Sequence, residues 1–246
     1  MKLLDKFIEY PKLPFILSGI IFLSSLVFLS TNKYSAEYTK LQEKAMSVSF
    51  LLGKSTDDLT VFARYHVTTK NMTWKDKFNE ALAIRNGEIA DKKGIKKSLL
   101  DRVKEIDFTA EELQHYETAI KLSDNLATRE KEAFKLIEEV RSGKTYNYEQ
   151  DEAKALMLMF GTEYEKYKSE ILASIGKFHE AVKKRTDEKI EQLNHIEWSL
   201  VTLINVCLLL LVMALKHKED LEKAAAAKPK RVVRRKKVVR RKTTVN

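Results

Sequence analysis

An all-α chain, built as a membrane-anchored antiparallel bundle of about four helices between two transmembrane helices, is predicted by three observations. Residues 13–30 and 198–215 are runs of eighteen residues each without a formal charge. The segment between them has no proline, holds six of the seven glycines, and is rich in Glu, Lys, Leu and Ala, which favours long helices over sheet. Its apolar residues recur at spacings of three and four, the helical period.

At about 1.5 Å per residue each uncharged run reaches roughly 27 Å, close to the hydrocarbon thickness of a bilayer. Helix is the form that satisfies a single spanning segment's backbone there. Lys2, Lys6 and Lys12 precede the first run, so a cleavable leader is the alternative for it. The length of the run and the absence of a small-x-small site after Leu29 favour a retained helix. Residues 1–12 carry net +1, residues 31–197 net −1 and residues 216–246 net +10, so the high pI belongs to the C-terminal tail. The positive-inside rule then puts both termini on the cytoplasmic, or topologically equivalent, side and residues 31–197 outside.

After the first span, Tyr34, Tyr38, Leu41, Ala45, Val48, Leu52, Ser55, Leu59 and Phe62 form a heptad seam, which extends the first helix outward. Residues 68–72 are polar and break it. Thr73 is placed to cap a short helix from Trp74 to about Asn86, closed by Gly87. Gly94 interrupts the lysine-rich stretch that follows. Thr109 and Glu112 form a capping box ahead of Leu113, Tyr116, Ile120, Leu126, Ala133, Ile137 and Val140, a long amphipathic helix that stops near Gly143. From about Glu149 the pattern resumes and runs through Tyr164, Ile171, Phe178 and Ile190 directly into the second span. Such helices bury their apolar stripes against one another, which gives the bundle.

Six segments in order, Asp57-Asp-Leu-Thr-Val-Phe-Ala-Arg64, Val67-Thr-Thr69, Ala83-Ile-Arg-Asn-Gly87, Phe108-Thr-Ala-Glu-Glu-Leu113, Leu122-Ser-Asp-Asn-Leu126 and Phe160-Gly-Thr-Glu-Tyr164 with Lys168, resemble the extracytoplasmic helical sensor region of bacterial methyl-accepting chemotaxis receptors and related sensor proteins. The resemblance covers roughly residues 35–195. Lys70-Asn71 stands where the family usually has Gly-Asp, and about thirty residues follow the second span in place of the family's cytoplasmic output. What the resemblance implies is a helical sensor bundle in which Arg64, Arg85 and Tyr164 line a small-molecule pocket, the arginines pairing a carboxylate.

Catalysis is not expected. His66, His115, His179, His195 and His217 show no metal-ligand spacing, no phosphate loop or nucleophile elbow is present, and the carboxylates alternate with lysines as on solvated helix faces. Cys207, the single cysteine, excludes an intrachain disulfide and reads as filler within the second span. Asn71-Met-Thr73 is a glycosylation sequon at an exposed break. No cofactor and no metal is expected.

Beyond the second span, ten of the fifteen residues 228–242 are basic: Lys228, Lys230, Arg231, Arg234, Arg235, Lys236, Lys237, Arg240, Arg241 and Lys242. Arg231-Val-Val-Arg-Arg-Lys is followed by Lys237-Val-Val-Arg-Arg-Lys. On a helix Val232, Val233, Val238 and Val239 would point to about 0, 100, 240 and 340 degrees and form no apolar face. A disordered polycation spaced from the membrane by residues 224–229 is expected, binding nucleic acid, anionic lipid or acidic protein. Without aromatics it suits phosphate contact rather than base reading, and nucleic acid is the favoured partner. These observations point to a non-enzymatic structural or tethering protein, a nucleoid anchor or a component of a virion with an internal membrane. A homo-oligomer, or packing against other membrane or shell proteins, is expected. The alternative is a chemoreceptor-like small-ligand sensor that signals through a partner receptor.

Overall fold

The computed structural model describes residues 12–227, so the basic residues 228–242 and residues 1–11, expected on the cytoplasmic side, lie outside the described residues. The described chain is helical and contains no strand. In order the helices are α1 (Leu13–Thr69), α2 (Met72–Arg85), α3 (Leu99–Lys104), α4 (Ala110–Arg141), α5 (Tyr148–Phe160) and α6 (Thr162–Ala227). Helices α1 and α6 each contain a segment long and apolar enough to cross a membrane. The chain divides into two compact units, one of residues 31–195 and one from the chain on either side of it.

In the second of these units, residues 13–30 of α1 and 196–227 of α6 share a small core of Leu13, Leu17, Cys207 and Ala214. Cys207 is a free, buried thiol. Most of the large apolar side chains face outward, with Phe22 63% and Trp198 73% exposed.

The unit of residues 31–195 holds the main core. The α1 seam buries Leu41, Ala45, Val48, Leu52 and Leu59. Past Leu52 the seam departs from the heptad register. The buried positions become Thr56, Thr60, Ala63 and Val67 instead of Ser55 and Phe62, while Tyr34 is exposed. A straight helix drifts about 20° per heptad, so a strict seven-residue repeat cannot stay on one face. Against this seam lie Tyr116, Ala119, Leu126, Ala133 and Ile137 of α4, and Ile171, Phe178 and Val182 of α6. Edge-to-face rings lock the layers: Phe178 meets Phe108 at 5.0 Å and Tyr116 at 5.2 Å, and Phe134 meets Phe78 at 4.9 Å. Between α1 and α6, Gln42 donates to Thr186 and Asp187, both at 2.6 Å.

Local chemistry sets the helix ends. Thr109 and Glu112 form both halves of the capping box, 2.8 and 3.2 Å, and Arg185 pairs Glu112 at 2.7 Å. Burial opposes ionisation of Glu112, but the bonds from Arg185 and Thr109 outweigh it and hold its carboxyl below the usual range. The cap of α2 is Asn71, not Thr73. Lys70 turns the chain at φ 55°, and the Asn71 side chain accepts from the Thr73 amide at 3.0 Å, so the helix starts at Met72. The stretch expected to run unbroken from about Glu149 into the second span is also divided. Gly161 is extended, at φ −72° and ψ 160°, and separates α5 from α6. A Cβ there would sit 2.5 Å from the Met157 carbonyl oxygen, so glycine alone fits the break.

Gly87 and Gly143 both close helices at positive φ, 75° and 65°. Their surroundings differ. A Cβ on Gly87 would lie 2.3 Å from Ser98 N and 2.7 Å from Lys97 C, both backbone, whereas one on Gly143 would meet nothing within 4 Å. Chemical denaturation of the full chain in detergent, followed by circular dichroism, should give Gly143→Ala a loss of about 1–2 kcal/mol, the left-handed cost alone. Gly87→Ala should lose clearly more. Equal losses would contradict the close approach of residues 97–98.

Candidate functional site: a buried polar hub and an apolar cleft

Glu130 sits on α4 where the stripe Leu126, Ala133 and Ile137 puts a core position, and it is 1% exposed. Reading every carboxylate as part of a solvated face fails here. Lys and Glu neighbours hide the fact that residue 130 falls four after Leu126 and three before Ala133. A carboxylate this deep needs partners. The Tyr164 hydroxyl lies 2.5 Å from Glu130 Oε1 and 3.0 Å from Thr60 Oγ1, hydrogen-bonded to both, and ties α6 to α4 and α1. Burial pushes the Glu130 carboxyl up to about 7; the Tyr164 bond and the charges of Arg85, Lys168 and Arg64 work against that rise. Burial, followed by the neighbouring Glu130, also raises the Tyr164 phenol.

The three residues expected to line a ligand pocket gather around this hub, in different roles. Arg64 donates through Nε and Nη2 to the Met159 carbonyl, at 3.2 and 3.1 Å. That carbonyl is one of the last in α5, left without a helical partner by the break at Gly161, and a cation is favoured there. The same guanidinium lies 4.8 Å over the Phe160 ring and 5.0 Å over Tyr164, and pairs Glu165 at 2.5 Å. Arg64 and Tyr164 are thus occupied within the fold.

Arg85 differs. It is 3% exposed, donates to Ser123 Oγ at 2.7 Å and pairs Asp124, while its Nε has no hydrogen-bond partner. Burial lowers its pKa, and the charges of Asp124 and Glu130 counter that. Ser123 in turn meets Thr56 at 3.1 Å, which extends the polar contacts from α2 through α4 to α1. Lys168 pairs Asp57 at 3.0 Å at the edge of the same region. Among the described residues no group of His, Cys, Asp and Glu is arranged to hold a metal ion. The Nδ1 of buried His66 lies 3.0 Å from the Asn71 carbonyl, and its ring packs edge-on to Phe134.

Arg85 also lines a cleft of about 490 Å³ bounded by α1, the end of α2, the loop that follows it and the start of α3. The loop is an ordered wall. Asp91 Oδ1 accepts from the amides of Lys93 and Ile95 at 2.9 and 3.0 Å. Arg102 clamps it from α3, pairing Asp91 at 2.7 Å and donating to the carbonyls of Lys97 and Ile95 at 3.0 and 3.1 Å. The Ile95 amide bond, then Arg102, holds the Asp91 carboxyl below its ordinary range. Sequence reasoning missed this clamp, although the turn residues Asp91 and Gly94 signalled an ordered loop.

Comparison of the chain with protein-family models, with curated proteins and with solved structures gives no match. The ten basic residues expected to bind a polyanion lie outside the described residues.

The hub carries a pH signature. A carboxyl whose pKa rises on folding binds its proton more tightly in the folded state, so stability is greatest below the unfolded value near 4.5 and is lost as pH rises through about 7. Denaturation midpoints between pH 4.5 and 8 should fall with pH in the wild type and flatten in Glu130→Gln. An unchanged slope in the variant would show that Glu130 is not the titrating group.

Proposed function

We propose that this is a non-enzymatic tethering membrane protein. Residues 13–30 and 198–215 cross the bilayer, the intervening residues fold outside as an antiparallel bundle of about four helices, and the tail on the inner side binds nucleic acid. The observation that carries this reading is charge placement: ten basic residues within residues 228–242, joined by residues 216–227 to a charge-free apolar helix, while the body between the spans is near neutral. The positive-inside rule orients such a chain with its tail in the cytoplasm or its equivalent. Two spans already hold the protein in the membrane, which makes a further lipid anchor redundant. A tail of Arg, Lys and Val neutralises phosphates without reading bases. A nucleoid anchor or an internal-membrane virion component would call for this arrangement. The bundle then serves contacts with further copies or with neighbouring membrane or shell proteins.

One observation favours a second role for the bundle, small-ligand sensing through a partner receptor. Arg85, which the resemblance to chemotaxis-receptor sensor regions would put on a carboxylate, is among the residues that line the cleft.

Binding of full-length protein in neutral-lipid nanodiscs to duplex DNA tests the tether. The logarithm of the affinity should fall against the logarithm of salt with a slope of about −9 for ten neutralised phosphates. Changing the ten basic residues of 228–242 to glutamine should remove that salt-sensitive binding. Retention of it would reject the reading, as would loss of DNA binding when anionic lipid is present at cellular proportions, which would assign the tail to head groups.

A further inference from the structure

We propose that the α1–α2–α3 cleft is a binding site for a small amphiphilic monoanion, a short- to medium-chain alkanoate, with its hydrocarbon on the apolar floor and its carboxylate toward the lysines of the loop after α2. This goes beyond the tether and gives the sensing role, on which it rests, a ligand class. The cleft's size falls in the range of about 300–1,000 Å³ typical of small-molecule sites. Its surface is mainly apolar, supplied by Leu51, Ala81, Ile84, Ile95 and Leu99. Ile95 is 42% and Leu51 39% exposed, so apolar area faces the opening.

The charge around this floor is one-sided. Lys54, Arg85, Lys92, Lys93 and Arg102 face only Asp58 and Asp91. Lys54 is paired with Asp58, Arg102 with Asp91, and Arg85 with Asp124, all within the protein. Among the described residues Lys92 and Lys93 have no ion-pair partner, and both are exposed, leaving two ammonium groups at the rim of an apolar cleft. A cationic or neutral occupant would leave both ammonium groups unanswered, whereas a carboxylate with an alkyl body matches both surfaces.

The wall is built to persist without an occupant. Gly87 permits the backbone approach to residues 97–98, and the Asp91–Arg102 clamp holds the loop from within. The site is therefore preformed, and binding need not order the loop.

Hydrogen exchange of full-length protein in nanodiscs, titrated with hexanoate, hexan-1-ol, acetate and hexylammonium, reads the site directly. Hexanoate should protect amides of residues 88–104, with hexan-1-ol and acetate at least about tenfold weaker and hexylammonium without effect; a charge-assisted contact of about 1.5 kcal/mol corresponds to that factor. Leu51→Trp, which fills the cleft from its exposed side, should abolish protection while leaving DNA binding by the tail intact. Lys92→Gln with Lys93→Gln should weaken hexanoate about three- to tenfold. Equal protection by hexan-1-ol, or full protection in Leu51→Trp, would overturn the proposal whatever the tail binds.

Discussion

Burial of the Glu130 carboxyl is the constraint on which the body of the protein turns. An apolar stripe alone tolerates sliding, because one leucine replaces another at the same spacing. A carboxylate 1% exposed does not: it must meet the Tyr164 hydroxyl from α6, which also bonds Thr60 of α1. The penalty for leaving such a group unpaired sets the register of three helices at once. Arg85 joins α2 to the same system through Ser123 and Thr56. Registers of the surrounding aromatic contacts, such as Phe134 with Phe78, then follow from this alignment.

The hub draws its partners from stretches far apart in the chain. Arg64 of α1 caps the last turn of α5 and lies over two rings, Phe160 and Tyr164. The Leu122-Ser-Asp-Asn-Leu126 segment supplies the Ser123 and Asp124 partners of Arg85. Arg64, Tyr164 and the partners of Arg85 are engaged with other groups of the fold, and the cleft lies beside Arg85. The charge of Arg85 acts on Glu130, and its side chain is among those lining the cleft.

Much of this was legible in the sequence wherever the signal was local. The Thr109–Glu112 capping box, the turns at Gly87 and Gly143 and the two uncharged runs depend on residues within a few positions of one another. What escaped notice depended on tertiary competition. Asn71 outcompetes Thr73 as a cap because Lys70 adopts φ 55° and swings the chain before it. The Gly161 break is silent in the periodicity, since the apolar spacing continues across it; only the close Met157 carbonyl, which leaves no room for a Cβ, shows why a glycine stands there. Glu130 is masked by charged neighbours, yet its spacing from Leu126, Ala133 and Ile137 marks a core position, and a polar residue in an apolar stripe was the available signal. Ser123 and Thr56 follow the same rule.

A double-mutant cycle between Glu130 and Tyr164 tests most directly whether this contact governs the fold. Unfolding free energies of Glu130→Leu, Tyr164→Phe and the double variant, measured at one pH, should show a coupling of about 1–3 kcal/mol. Additivity within about 0.5 kcal/mol would mean that the carboxyl and the phenol act independently, and that something other than their contact sets the register of the bundle.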